Sequence, residues 1–81
     1  MRLDKYLKVS RIIKRRTVAN EACDAGKVTV NDKLARASYE VKVGDIIRIT
    51  MGTKTIAAEV VSVTEVVRKE NAAEMYRIIE G

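Results

Sequence analysis

Apolar residues recur at helical spacing in two stretches near the start of the chain, residues 2–9 and 17–25. In the first stretch, Leu3, Tyr6 and Leu7 fall on one helical face, which Ser10 continues just beyond it. In the second stretch, three apolar residues follow the i, i+3, i+4 pattern: Ala19, Ala22 and Cys23. Gly26 comes directly afterwards, where the end of a helix often needs a left-handed backbone. The pattern therefore predicts two short amphipathic helices, each with one buried side.

The middle of the chain alternates polar and apolar residues over short runs, which is typical of strands. We predict four strands, over residues 27–30, 33–35, 46–51 and 55–63. The pairs Asn31-Asp32 and Gly52-Thr53 predict tight turns, and residues 41–45 contain another. The length of the last run predicts a bulge or bend near Ala57 and Ala58. Residues 64–67 are compatible with a further extension of the sheet.

The tail, residues 69–81, changes character. Its apolar residues Ala72, Met75, Tyr76 and Ile79 have the spacing of an amphipathic helix. Residues 76–79 are equally compatible with an extended chain. The order of elements predicts an α+β fold in one small domain, residues 1–81. In this fold, two N-terminal helices pack on a compact, mainly antiparallel sheet, followed by a short C-terminal helix or tail.

The excess positive charge of the chain is confined to its first fifth. Residues 1–16 contain seven basic residues against one acid, Asp4, giving a net charge of +6. Residues 17–81 contain nine basic and ten acidic residues, giving −1. A concentrated basic region on a nearly neutral body favours a polyanionic partner, and nucleic acid is the leading candidate.

Three consecutive cations, Lys14, Arg15 and Arg16, stand where the second predicted helix begins. A cation at a helix N-terminus is unfavourable by about 0.3–1 kcal/mol, because that end already carries partial positive charge. An anion that contacts these cations and the exposed amides would reverse the penalty. The triplet therefore suggests a site for a phosphate backbone, although a solvated basic turn explains a lone triplet equally well.

The composition argues against a metal site, a disulfide or ordinary acid–base catalysis. A single cysteine excludes an internal disulfide and a multi-cysteine zinc site, and Cys23 fits a small core residue. The absence of histidine removes the usual general base and the commonest metal ligand. We therefore expect no enzyme activity, no cofactor and no metal. No signal peptide or membrane span is apparent, and we expect a cytoplasmic monomer without membrane attachment.

Three separated motifs occur in a fixed order: RLDKYL at residues 2–7, KRRTVA at 14–19 and AGKVTVND at 25–32. This pattern resembles the RNA-binding module named after small-subunit ribosomal protein four, over about residues 2–50. Residues 51–81 would then be a sheet extension and a C-terminal tail. That family often has Ser or Thr where Arg15 stands, so this chain exchanges a helix cap for a cation.

The opening residues 1–17 and the tail motif AAEMY at 72–76 further resemble the bacterial RqcP (YabO) family. That family is related to heat-shock ribosome-binding proteins with the same module. The resemblance implies a non-enzymatic factor of ribosome-associated quality control, which binds obstructed large ribosomal subunits. Its partners would be an rRNA stem-loop, peptidyl-tRNA in the P site, and RqcH, which directs C-terminal alanine tailing.

The functional arginines of that family map onto Arg2 and Arg16, with Asp4 close by. Charge and position extend the set of candidate RNA-binding residues, which are Arg2, Lys5, Arg11, Lys14, Arg15 and Arg16. Asp4 has two equally supported interpretations. Either it holds Arg2 or Lys5 in position for RNA, or it only compensates the dipole of the first helix.

Three alternatives are open to consideration at the level of sequence. The chain could act like the related heat-shock proteins, binding free large subunits with trapped peptidyl-tRNA without tailing. The same module is also appended to pseudouridine synthases and tyrosyl-tRNA synthetases, but this chain has no room for their catalytic domains. A basic N-terminus would also suit DNA or a membrane surface, which competition binding would separate from RNA.

Overall fold

The computed structural model describes residues 1–64 and 74–79, and within these ranges both helices are too short and too polar to span a bilayer. The helices are α1 (Leu3–Val9) and α2 (Arg16–Asp24). The strands are β1 (Val28–Val30), β2 (Lys33–Leu34), β3 (Ile46–Met51), β4 (Lys54–Val60) and β5 (Tyr76–Ile79). They form one sheet in the order β2-β1-β3-β4-β5, and every neighbouring pair is antiparallel. The predicted α+β fold with two N-terminal helices is confirmed.

Helix α2 ends in the way that Gly26 predicts. Gly26 has a φ of +74°, and its N–H donates to the carbonyl of Cys23 at 3.1 Å. The N–H of Lys27 donates to the carbonyl of Ala22 at 3.0 Å. This pair of bonds is a Schellman motif, in which glycine adopts the left-handed conformation without strain. The helix lies one residue earlier at each end than the predicted range, so Arg16 is already helical.

The core lies between the two helices and one face of the sheet. From the helices it receives the residues that the helical spacing predicted: Leu3, Tyr6, Leu7, Ala19 and Cys23. From the sheet it receives alternate residues: Val28, Val30, Ile47, Ile49 and Val60. Burial, with the nearby carboxylates of Asp4 and Asp24, raises the pKa of the Cys23 thiol to about 11. Cys23 is therefore an unreactive core residue, as expected.

The hairpin of β3 and β4 keeps one-to-one pairing along its whole length, from Ile46 opposite Glu59 to Met51 opposite Lys54. No residue is inserted, so the predicted bulge near Ala57 and Ala58 is wrong. Both alanines are only 2% exposed although they point to opposite faces of the strand. The two consecutive buried residues therefore reflect a strand that is covered on both faces, and the strand ends at Val60 rather than at residue 63.

The last described residues settle the alternative that the sequence left open for residues 76–79. Strand β5 pairs with β4, with Tyr76 opposite Val60 and Ile79 opposite Ala57. The extended form is correct here because pairing with β4 satisfies the backbone groups and adds a fifth strand. Met75, just before β5, is 2% exposed, and its carbonyl accepts the Tyr6 hydroxyl at 2.6 Å. Residues 69–73 of the predicted tail helix and residues 65–67 of the predicted extension lie outside the described residues, and Thr64, where that extension would begin, is not in a strand.

The start of the chain is held against the segment that precedes β3. The N–H of Leu3 donates to the carbonyl of Tyr39 at 2.8 Å, and the N–H of Val41 donates to the carbonyl of Met1 at 2.9 Å. Arg2 lies between these two bonds and forms an isolated antiparallel bridge with Glu40. The backbone of Arg2 is therefore fixed before α1 begins, which limits where its side chain can reach.

Candidate nucleic-acid interface

The side chain of Asp4 is the point where the starts of the two helices meet. Arg2 is the residue before α1, Asp4 lies in the first turn of α1, and Arg16 is the first residue of α2. The Asp4 side chain is only 3% exposed, whereas the Arg2 and Arg16 side chains are 52% and 48% exposed. One buried carboxylate thus forms ion pairs with two half-exposed guanidinium groups from different elements.

Both oxygens of the Asp4 carboxylate accept hydrogen bonds. Oδ1 accepts from Arg2 Nε at 3.3 Å and from the backbone N–H of Lys5 at 2.8 Å. Oδ2 accepts from Arg2 Nη2 at 3.5 Å, from Arg16 Nε at 3.3 Å and from Asn20 Nδ2 at 3.3 Å. The two-point contact sets the plane of the Arg2 guanidinium. Arg16 bonds through Nε alone, so its two Nη groups have no hydrogen-bond acceptor among the described residues.

The protonation of Asp4 reflects opposing effects. Burial raises the pKa of the carboxyl group, but hydrogen bonds from Asn20, the Lys5 N–H and Arg16, together with the charge of Arg16, lower it by more. The pKa therefore lies below its ordinary value, and Asp4 is a carboxylate near neutral pH. Two guanidinium charges against one carboxylate leave a net charge of +1 at this point, on groups that are held in place. Asp4 thus does more than compensate the dipole of α1.

Two surface hollows adjoin this cluster. One, of about 490 Å³, is lined by Arg2, Asp4, Arg16, Thr17, Asn20 and Glu21. The other, of about 540 Å³, is lined by Met1, Arg2, Lys5, Arg16, Ser38 and Glu40. Arg2 and Arg16 line both hollows, so they form the boundary between them. The structure therefore brings together three of the six candidate residues, Arg2, Lys5 and Arg16, around Asp4.

The other three candidates, Arg11, Lys14 and Arg15, do not line either hollow at the Asp4 cluster. Lys14 lines a third hollow of about 390 Å³ on the opposite flank of α2, together with Val18 and Met51. Arg11 is exposed, with a left-handed backbone at φ +63°. Arg15 is exposed at the N-cap position of α2 and supplies no side-chain cap. None of the three forms an ion pair with the residues that the structure describes.

Comparison with known proteins gives the family. A family model described as the S4 domain matches residues 1–47. The RQC P-site tRNA stabilizing factor of Halalkalibacterium halodurans is 51% identical over 78 residues, which cover 96% of this chain and 89% of that protein. The factor of the same name from Streptococcus pneumoniae is 53% identical over 79 residues, 98% of this chain and 90% of that protein.

The chain belongs to the family of RQC P-site tRNA stabilizing factors. A trimeric structure of Heat Shock Protein 15 from Vibrio cholerae is also similar, with a TM-score of 0.89 and 29% identity over 98% of this chain and 81% of that one. Both resemblances predicted from the sequence, to the S4 module and to the stabilizing-factor family with its heat-shock relatives, are confirmed. The Asp4 cluster and both adjoining hollows lie within the matched S4 domain.

In this S4 domain, sequence reasoning missed three residues of α2 that line one of the two hollows: Thr17, Asn20 and Glu21. Asn20 is the most informative omission because its amide donates to Asp4, sixteen positions earlier in the chain. A signal was available in the spacing, since Asn20 follows Arg16 by four residues and so lies on the same helix flank. Its pairing with Asp4 was not visible because that contact depends on how α1 and α2 pack.

Proposed function

We propose that this protein is a non-enzymatic RNA-binding factor of ribosome-associated quality control. It binds obstructed large ribosomal subunits through an rRNA stem-loop and tRNA, and stabilises peptidyl-tRNA in the P site during RqcH-dependent C-terminal alanine tailing. The relatives that match nearly the whole chain are named RQC P-site tRNA stabilizing factors, and these names support a role in stabilising P-site tRNA. The observation that carries the proposal is the pair of half-exposed guanidinium groups on the buried carboxylate of Asp4.

The Asp4 cluster suits the backbone of folded RNA. A-form RNA presents phosphates and 2′-hydroxyl groups, while its deep groove hides most base edges from side chains. Arginine binds a phosphate with its planar fork, and two arginines fixed on one carboxylate lose little side-chain entropy on binding. Lys5 adds charge at the neighbouring hollow, and Arg11, Lys14 and Arg15 extend the basic surface around the start of α2. All six candidates would therefore contact rRNA or tRNA phosphates.

The proposal includes the place and assembly state of the protein. It acts in the cytoplasm on the ribosome, as a monomer and without a cofactor. The structure of the Vibrio cholerae relative is trimeric, so measuring the assembly state of this protein tests the proposed monomer directly. Light scattering of the isolated protein at micromolar concentration should give the mass of one chain.

The proposal is tested by recovering the tagged protein from growing cells. Wild-type protein should bring down large subunits, tRNA, RqcH and alanine-tailed chains, with cross-links to one rRNA stem-loop. The Arg2→Ala and Arg16→Ala variants should lose most of this material. Lys42→Ala is the matched control, because Lys42 is an exposed lysine outside both hollows at the Asp4 cluster. Wild-type recovery by both arginine variants would contradict the proposal.

A second function is favoured by the close structural match to a heat-shock protein. In that case the protein would bind free large subunits that retain peptidyl-tRNA, without alanine tailing. The same recovery experiment separates the two functions. Large subunits with tRNA but without RqcH or alanine-tailed chains would indicate the heat-shock-type activity.

A further inference from the structure

The hollow beside Asn20 is lined by two chemically different sets of side chains. One set is the pair of guanidinium groups of Arg2 and Arg16. The other set, on one flank of α2, is Thr17, Asn20 and Glu21, which offer a hydroxyl, an amide and a carboxylate. A ligand that fills the hollow must therefore present negative charge to the arginines and a neutral hydrogen-bond donor to the α2 set.

The orientation of the Asn20 amide is fixed by its partner. The Asp4 carboxylate can only accept hydrogen bonds, so the Asn20 group facing it at 3.3 Å must be the Nδ2 amino group. The Asn20 amide oxygen therefore points away from Asp4. Among residues 1–64 and 74–79, no group donates to this oxygen and none bonds to the Thr17 hydroxyl. Both groups remain available to a ligand in the hollow.

Glu21 makes the α2 set unsuitable for phosphate. Its side chain is exposed and forms no ion pair with the described residues, so its carboxylate repels an anion and accepts from a donor. A ribonucleotide meets both requirements, because it carries a phosphate and a neighbouring 2′-hydroxyl. A deoxyribonucleotide has the phosphate but lacks the hydroxyl donor.

We propose that a ribose 2′-hydroxyl donates its one proton to the Glu21 carboxylate and accepts from the Thr17 hydroxyl, beside the Asn20 amide and next to the phosphate held by Arg2 and Arg16. This subsite makes the protein select RNA over other polyanions of the same charge and shape. The inference rests on the proposed function, since it requires RNA at the Asp4 cluster. It adds residues that recognise the sugar, because the basic residues bind phosphate and do not distinguish ribose from deoxyribose.

The test uses the rRNA stem-loop that cross-links to the wild-type protein, synthesised as RNA and as its 2′-fluoro analogue. The analogue keeps the phosphates and favours the A-form, but has no hydroxyl to donate. The wild-type protein should bind the RNA about 3- to 10-fold more tightly than the analogue, the range expected for about one net hydrogen bond. Fluorescence anisotropy of labelled probes measures both dissociation constants.

Variants then locate the selectivity. Thr17→Val with Glu21→Gln removes the hydroxyl and the carboxylate charge but keeps the Asn20–Asp4 bond, and should bring the affinity ratio of the two probes close to one. Asn20→Ala should also reduce the ratio. Asp24→Asn is the control, because Asp24 is an exposed acid of α2 outside this hollow, and it should keep the wild-type ratio.

The outcomes separate this inference from the proposed function. Equal wild-type affinity for the two probes would overturn the sugar subsite, while loss of both affinities in Arg16→Ala would still support phosphate binding. A wild-type ratio that persists in the double variant and in Asn20→Ala would assign the hydroxyl to other residues, and would overturn it too. If the wild-type protein bound neither probe, both the proposed function and the subsite would fail.

Discussion

Replacing Asp4 with asparagine separates the two things that the carboxylate does. The substitution keeps the shape of the side chain but removes its charge, so that Arg2 and Arg16 lose their shared counterion. It also replaces one of the two accepting carboxylate oxygens with an amino group that donates. This amino group would face the N–H donors that bind Asp4 in the wild-type protein. Asp4→Asn therefore acts on folding and on the placement of both arginines.

The expected loss of stability follows from the burial of Asp4. Removing one partner of a buried ion pair destabilises proteins by about 3–5 kcal/mol. Both arginines are about half exposed, so solvent screening reduces this figure. Asparagine can still accept one or two of the original hydrogen bonds. We therefore expect the free energy of unfolding to fall by about 2–4 kcal/mol, and the melting temperature by about 10–30 °C for a domain of this size.

The pH dependence gives an independent check. The folded-state pKa of Asp4 lies below its ordinary value of 3.8, so its stabilising contribution is fully present above that value. The contribution is lost as the pH falls through the lower, folded-state pKa. Urea unfolding should therefore show wild-type stability declining below about pH 4, and Asp4→Asn should lack this part of the decline.

RNA binding provides the sharper test. Asp4→Asn makes the protein more positive, so binding driven by net charge alone would become tighter. If the carboxylate orients Arg2 and Arg16, binding should weaken by about 10-fold at a temperature where the variant is folded, equivalent to about 1.4 kcal/mol. Asp24→Asn makes the same change in charge at an exposed position and should not weaken binding. Tighter binding by Asp4→Asn would refute the orienting role, and a stability change below about 0.5 kcal/mol would refute the structural role.

Three further predictions concern charge and backbone. Arg16→Ala should weaken recovery of large subunits and change the stability measured by thermal unfolding by no more than about 1 kcal/mol. The change is small because the variant loses an ion pair but also removes an unfavourable cation from the start of a helix. A larger loss of stability would show that Arg16 is chiefly structural. If four to six phosphates are contacted, log affinity for RNA should fall with log salt at a slope of about −3 to −5, and a slope near zero would exclude phosphate contact. Gly26→Ala should reduce stability by about 1 kcal/mol in urea unfolding, because the backbone φ at Gly26 is +74°. The loss would come from backbone strain and not from a clash, since the nearest atom to an added Cβ, in Leu34, is 3.8 Å away. An unchanged midpoint would show that the backbone at Gly26 relaxes.

The helices and the central strands were predictable because each carries a local signal. The buried faces of α1 and α2 follow from helical spacing, and the strand over Ile46–Met51 from its β-branched residues. The tail shows the limit of such signals. The spacing of Met75, Tyr76 and Ile79 fits a helix, yet Tyr76–Ile79 forms an edge strand because the open edge of β4 offers backbone partners. Periodicity contains no information about which edge remains unpaired.

The candidate site shows the same division between local and long-range information. Charge counting placed the basic surface in the first fifth of the chain, and Arg2 and Arg16 do meet there. The reason that they meet is the packing of α1 on α2, which brings Asn20 and Arg16 to Asp4. Consecutive cations were a weaker guide, because Lys14 and Arg16 line hollows on opposite flanks of α2.

The bond from the Tyr6 hydroxyl to the Met75 carbonyl joins positions 69 residues apart. During synthesis Tyr6 is made 69 residues before its acceptor. Until then the hydroxyl has no acceptor in the core, and burying it without one would be unfavourable by about 1–3 kcal/mol. The first helix can therefore reach its final packing only after Met75 has been synthesised.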